Sequence, residues 1–176
     1  MRYKLAALFL CVVLVRCSDF EPFEGIKISQ YASKVIRYSS QYQSTSWSAN
    51  KALGKPDTYP MYGDFTTAWA SLTADEKREF LELGFDTLQT VTKIEIYETL
   101  NPGAIDSIYL RDSGSKKWKV VYSKPSIKNL PASSRIFTIQ LIETTYFADA
   151  IRLAINSKEV DGWNEIDAVS ITGQRK

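Results

Sequence analysis

From Ile26 onward the chain is a succession of short runs in which apolar and polar residues alternate with period two. In residues 92–99, Ile94 and Ile96 fall on one side, and Lys93, Glu95 and Tyr97 on the other. That is the pattern of a half-buried antiparallel strand. Residues 136–142 repeat it, with Phe137, Ile139 and Leu141 set against Thr138 and Gln140. Ile108 with Leu110, and Ile151 with Leu153 and Ile155, give two further inward rows. The same reading predicts strands over 28–38, 66–72, from Phe80, over 118–122 and over 165–172. Turn chemistry separates them: Asn101-Pro102-Gly103 is a strong turn, and Asp112-Ser-Gly-Ser-Lys116 a hairpin loop. Thr73-Ala-Asp-Glu76 has the spacing of a capping box, but the following Phe80-Leu-Glu-Leu-Gly84 alternates, so loop then strand is expected. Eight to nine strands with no long helix predict an all-β antiparallel β-sandwich.

One stretch breaks the pattern. Between Trp47 and Trp69 the chain meets Gly54, Pro56, Pro60 and Gly63, too many interruptions for a regular strand or long helix. A single helical turn fits residues 48–53, ended by Gly54. The stretch also carries Tyr59, Tyr62, Asp57 and Asp64, an aromatic content foreign to a flexible linker. It reads as an ordered loop pinned to the core by its two tryptophans, either functional or a purely structural Ω-loop.

Composition narrows the function. The 176 residues suffice for one domain with a real core. The formal charge of +2 is misleading, because the first 17 residues hold three of the 22 basic side chains and no acid. The remainder has 19 basic against 20 acidic groups and no basic block. Nucleic acid or an anionic membrane surface is therefore disfavoured as main partner, since both require concentrated positive charge. The absence of histidine removes His-based acid–base catalysis, Ser-His and Cys-His nucleophile pairs and His-ligated zinc. Both cysteines, Cys11 and Cys17, precede the body of the domain, which leaves it without a disulfide or a Cys-ligated metal.

The amino terminus has a basic start followed by the apolar run from Leu5 to Val15, the layout of a secretory signal and too short to span a bilayer comfortably. Leu14-Val15-Arg16-Cys17 resembles the end of a bacterial lipoprotein signal, in which Cys17 would carry the lipid, although Arg16 stands where a small residue is usual. Ordinary cleavage near Cys17, releasing a secreted protein, is the alternative. The expected organisation is thus a signal over 1–17, a polar tether over 18–26 and one domain over 27–176, working outside the cytoplasm. Contact with a membrane is expected only through the lipid anchor.

Several pieces taken in order resemble a known family. They are Ser39-Ser40-Gln41-Tyr42, Trp47-Ser48-Ala49, Ala52-Leu53-Gly54-Lys55-Pro56-Asp57, Gly63-Asp64 and Ala68-Trp69-Ala70-Ser71. Glu79-Phe80-Leu81-Glu82-Leu83-Gly84-Phe85, Asn101-Pro102-Gly103-Ala104 and Glu165-Ile166-Asp167-Ala168-Val169 follow. Together they resemble the discoidin-like, or coagulation factor 5/8 type C-like, branch of the galactose-binding jelly rolls. The subgroup most similar occurs in pappalysin-type scarf domains and at the amino terminus of an F-box leucine-rich-repeat protein. The resemblance implies an eight-stranded sandwich with adjacent termini. It also implies non-catalytic binding of glycans, proteins or lipid headgroups through loops at one end, and in many relatives a calcium ion under the loop after the first strand.

Two constellations follow from the residues. By alternation Glu165 and Asp167 share the inward face of the last strand with Val169 and Ile171, and an inward acid needs a cation, a metal or several donors. If the long loop crosses that strand, Asp57, Asp64, Thr67 and Glu165 supply oxygens for calcium. Against this, Leu53-Gly54 stands where related sugar-binding modules carry Asp-Gly, and the simpler alternative pairs Glu165 or Asp167 with Arg152 or a backbone amide. The second constellation is aromatic. Tyr59, Tyr62 and Trp163 offer rings to stack on a sugar, with Asn164 or Asp161 bonding its hydroxyls. Locking the loop onto the sandwich is their alternative role, and Trp47, Trp69 and Trp118 read as core residues or lids. Glu79, Glu82, Glu95 and Glu98 are the carboxylates a glycosidase would need, but their positions read as solvated strand faces. The expected function is a non-enzymatic module for carbohydrate, with a protein surface as the other partner class.

Overall fold

In a computed structural model describing residues 25–175, nine strands form two antiparallel sheets. They are β1 (Ile26–Tyr31), β2 (Lys34–Tyr38), β3 (Arg78–Gln89), β4 (Lys93–Leu100), β5 (Ile105–Asp112), β6 (Trp118–Ser123), β7 (Arg135–Gln140), β8 (Ala148–Asn156) and β9 (Glu165–Arg175). One sheet has the order β1-β9-β4-β7, the other β2-β3-β8-β5-β6. The expected all-β sandwich is the fold. The signal segment and Cys17 lie outside the described residues.

The alternating rows do what their period requires. Ile94, Ile96, Ile108, Leu110, Ile151, Leu153 and Ile155 are all buried between the sheets, joined by Leu81, Leu83, Val169 and Ile171. Packing these rows face to face closes a core without any long helix. The described residues hold only two 3-10 turns, Ala49–Ala52 and Ser157–Glu159. The first falls inside the helical turn expected over 48–53. The turn at Asn101-Pro102-Gly103 is also as expected. Gly103 has φ +117°, and a side chain there would strike the Ile127 carbonyl oxygen at 2.3 Å.

Three details differ from the sequence pattern. The single strand expected over 28–38 is two. The Ala32 amide donates to the Val169 carbonyl in one sheet, and the next amide, Ser33, donates to the Gly84 carbonyl in the other. The chain crosses between sheets there, which period-two alternation does not record. Second, residues 66–72 make only an isolated bridge, Trp69 to Ile166, rather than a strand. Third, Glu79, Glu82 and Glu98 are buried instead of solvated. Arg37 and Arg152 both bind Glu82, and Arg135 binds Glu98, so guanidinium groups replace water. Arg152 is thereby committed to Glu82 and is not the partner of Glu165 or Asp167.

β1 lies antiparallel to β9, with Ile26 opposite Arg175, which brings the two ends of the described body together. The start of β9 sits at the opposite end of that sheet. There the segment from Ser39 to Ser71 crosses over it.

Candidate functional site at the loop end of the sandwich

The crossing is fixed by backbone hydrogen bonds. Trp69 and Ile166 exchange a reciprocal pair at 2.8 and 3.0 Å. The Tyr42 amide donates to the Ala70 carbonyl, and the Trp69 indole N–H donates to the Ser40 carbonyl. Trp47 is held on both sides: its amide donates to the Thr66 carbonyl, and its carbonyl accepts from the Ala70 amide. These contacts hold Trp47 at φ +49°, a left-handed conformation unfavourable for a bulky side chain. A non-glycine residue kept there by its surroundings marks a position whose side-chain direction matters.

That direction is into a pocket of about 80 Å³ lined by Tyr42, Trp47, Asp64, Ala70, Trp163 and Glu165. Tyr42 stands edge-on to both tryptophans, 5.3 Å from the Trp47 ring and 5.8 Å from the Trp163 ring, at 77° and 83°. Edge-to-face packing of this kind holds three rings without collapsing them into a stack. The Trp163 indole is tethered through its N–H to the Ser71 carbonyl, and the Gly162 amide to the Asp75 carboxylate.

Two acids close the pocket. Asp64 Oδ1 accepts the Trp47 indole N–H at 2.7 Å. Glu165 is 1% exposed, and its Oε2 accepts only the Phe65 amide at 3.3 Å and the distant Thr99 hydroxyl at 3.5 Å. Its Oε1 is buried with no hydrogen-bond partner. Among the described residues neither acid forms an ion pair. Burial pushes the Glu165 carboxyl up to about 8, and the neighbouring Asp64 carboxyl pushes the same way against the Phe65 amide. Burial thus favours the protonated form of the acid, and among the described residues no cation sits beside it.

Asp167, two residues along β9, is equally buried but fully engaged. Its carboxylate accepts the amides of Asp57, Thr58 and Tyr59, the last at 2.8 Å. The Thr58 hydroxyl, bonded to that of Thr67, sits beside it. Burial still raises its pKa, with the three amides opposing.

The residues expected as calcium ligands therefore divide. Asp64 and Glu165 meet at the pocket, whereas Asp57 and Thr67 belong to the Asp167 cluster. The positive ends of three N–H dipoles fill the space at Asp167 that a cation would occupy, so this arrangement does not fit calcium. Among the described residues no group of three or more acidic, cysteine or histidine side chains is placed to hold a metal.

The expected ligand-binding residues divide as well. Trp163 is a pocket wall. Asn164 is buried, donating to the Asn101 carbonyl, and supports the turn rather than facing the pocket. Tyr59 packs edge-on against Tyr97 at 5.4 Å, beside the Asp167 cluster. Tyr62 donates to the Asn101 side chain at 3.1 Å and borders a separate, open depression with Pro102, Lys128 and Pro131. Tyr42 was not singled out by its pattern, and Trp47 was expected to be core or a lid. The available signal was the concentration of aromatics on either side of a region too broken for regular structure.

Aromatic and acidic groups thus gather at one loop end of a two-sheet antiparallel sandwich with the galactose-binding-like fold. The family model for the C-terminal SD scarf domain of pappalysin-1 matches residues 23–176, and the chain belongs to that family. F-box/LRR-repeat protein 4 of Bos taurus is 25% identical over 180 residues, covering 85% of this chain. The chain spans only 29% of that relative's length. Among solved structures, chitosan-binding module 1 of a Paenibacillus sp. IK-5 chitosanase/glucanase superposes with TM-score 0.55 at 18% identity, covering 81% of this chain and 96% of that one. The family 32 carbohydrate-binding module of C. perfringens NanJ, in complex with galactose, gives 0.55 at 13%, covering 82% and 99%. Reduced XRCC1, bound to the DNA pol beta catalytic domain, gives 0.59 at 16%, covering 83% and 98%. At these identities the likeness is one of fold.

Proposed function

We propose that the protein is a non-catalytic, extracytoplasmic binding module that recognises carbohydrate at the loop end of the sandwich. The observation that carries this reading is the pocket itself: three aromatic walls held apart by edge-to-face contacts, with carboxyl groups between them. Aromatic faces accept the apolar face of a sugar ring, and a few fixed polar groups orient it. Two of the solved structures sharing the fold are carbohydrate-binding modules by name, which supports the class without specifying the sugar. The placement outside the cytoplasm rests on the apolar run from Leu5 to Val15, with Cys17 as the candidate lipid anchor.

The acids argue for binding over hydrolysis. Glycosidases set two carboxyl groups several ångströms apart so that the scissile bond lies between them. Asp64 and Glu165 instead are close neighbours on the same wall of the pocket, near enough for the Asp64 carboxyl to raise the Glu165 pKa. A glycan array probed with the full chain tests the proposal. Binding to a subset of glycans, lost on Trp163→Ala or Tyr42→Ala while the circular dichroism spectrum is kept, is the expected result. Turnover of any glycoside, or an array without signal alongside capture of a defined protein through the same residues, would overturn it.

A further inference from the structure

The pocket offers more negative character than a neutral sugar can use. Glu165 lines the pocket, and its Oε1 is buried without a hydrogen-bond partner. Asp64 lies beside it, and no lysine or arginine is among the lining residues. A buried polar atom without a partner is costly, and the exposed Asp64 carboxyl beside it adds like charge at the pocket mouth. In the empty pocket, burial favours the protonated form of Glu165. A hydroxyl donated by a neutral sugar would satisfy Oε1 but bring no positive charge to the Asp64 carboxyl, which among the described residues accepts only the Trp47 indole N–H. An ammonium group supplies three N–H donors and one positive charge in a single small volume. The aromatic walls fit the same occupant, because the faces of tryptophan and tyrosine attract an organic cation within about 6 Å of the ring centroid. A hard metal ion fits poorly, since calcium takes six to eight oxygen ligands and these walls are carbon.

We infer that the group seated between Asp64 and Glu165 is the protonated amine of an unacetylated amino sugar, whose ring lies against Trp47, Trp163 and Tyr42. This rests on the carbohydrate reading above and narrows it to a chemical class. N-acetylation removes the charge, leaves a single N–H and adds bulk, so it should exclude the ligand. The same logic makes Glu165 lose its proton when the amine enters.

The test is calorimetry of the full chain with glucosamine oligomers, with the same oligomers fully N-acetylated, and with neutral hexose oligomers. Glucosamine oligomers should bind at least about tenfold more tightly than their acetylated counterparts, the scale of one hydrogen bond to a charged group. Glu165→Gln should remove that preference, and Asp64→Asn, at an exposed position, provides a second variant should the first fail to fold. Repeating the titration in two buffers of different ionisation enthalpy should reveal proton release near neutral pH, lost in Glu165→Gln. Equal binding of acetylated or neutral oligomers, unchanged in both variants but abolished by Trp163→Ala, would overturn the amine inference and leave the carbohydrate reading standing. No binding of any sugar would overturn both, as would binding only of a lysine or methylated-lysine peptide.

Discussion

Glu165 and Asp167 are the same kind of residue in nearly the same place, and they have opposite surroundings. Both belong to the first turn of pleat in β9, both are 1% exposed, and both are pushed towards the neutral form by burial. Asp167 is surrounded by three amides of the crossing loop and thereby fixes that loop to the sheet. Glu165 receives one long amide contact, faces a second carboxyl and keeps an oxygen unpaired. A buried acid saturated by backbone donors belongs to the architecture. One left short beside three aromatic rings is what the proposed carbohydrate site would use. The sandwich thus uses one strand end both to hold its longest loop and to line the pocket that loop creates.

Substitutions should separate the two roles. The largest effect is expected at the saturated acid. Asp167→Ala leaves three amides without their acceptor, at about 1–3 kcal/mol for each group that water cannot reach. Chemical denaturation should show a loss of about 3 kcal/mol or more, with Asp167→Asn intermediate. A loss below about 1 kcal/mol would mean that the loop is anchored elsewhere.

At the unsaturated acid the sign reverses. Glu165 has its folded-state value raised to about 8 from an ordinary 4.5. Its favourable contribution is therefore complete below about pH 4.5 and is lost as pH rises through about 8. Glu165→Gln lacks that loss. The variant should melt several degrees above the parent near about pH 8, and the gap should close towards about pH 4.5. A destabilised variant at high pH would show that Glu165 is stabilising when charged.

Smaller still is the effect on folding expected for the pocket wall. Trp163 is 38% exposed and makes one hydrogen bond to the Ser71 carbonyl. Trp163→Ala should cost about 1–2 kcal/mol while abolishing ligand binding, whereas Trp69→Ala, in the core, should cost about 3–5 kcal/mol. The smallest shift is expected for calcium. Because the Asp167 cluster is filled by amides, melting with calcium and with chelator should agree within about one degree, and a rise of several degrees would restore a metal site.

How much of this the sequence carries depends on the kind of constraint. Ile94 with Ile96 and Ile151 with Leu153 reveal strands because burial on one face of a pleat imposes period two. Pairing of the long loop with the start of β9 was also legible, through acids on an inward face that required partners. Which acid meets which partner was not. Asp57 and Asp64 lie seven residues apart in an irregular loop, where no period fixes side-chain direction, and they end beside different β9 acids. The same limit hid the cage. Trp47 reaches the pocket through a left-handed backbone conformation imposed by Thr66 and Ala70, residues about twenty positions away. Buried Glu82 and Glu98 were misread for a related reason. Their guanidinium partners come from β2, β7 and β8, and only the assembled sheets bring Arg37, Arg135 and Arg152 to them.

The claim that Glu165 is a buried acid awaiting a cation is tested most directly by titrating its side-chain carboxyl carbon by NMR, without and with a glucosamine oligomer. The account predicts a midpoint near 8 in the free protein. It also predicts a fall of about one unit or more once the amine is bound. A free-protein midpoint in the ordinary carboxylate range, unmoved by the oligomer, would contradict it.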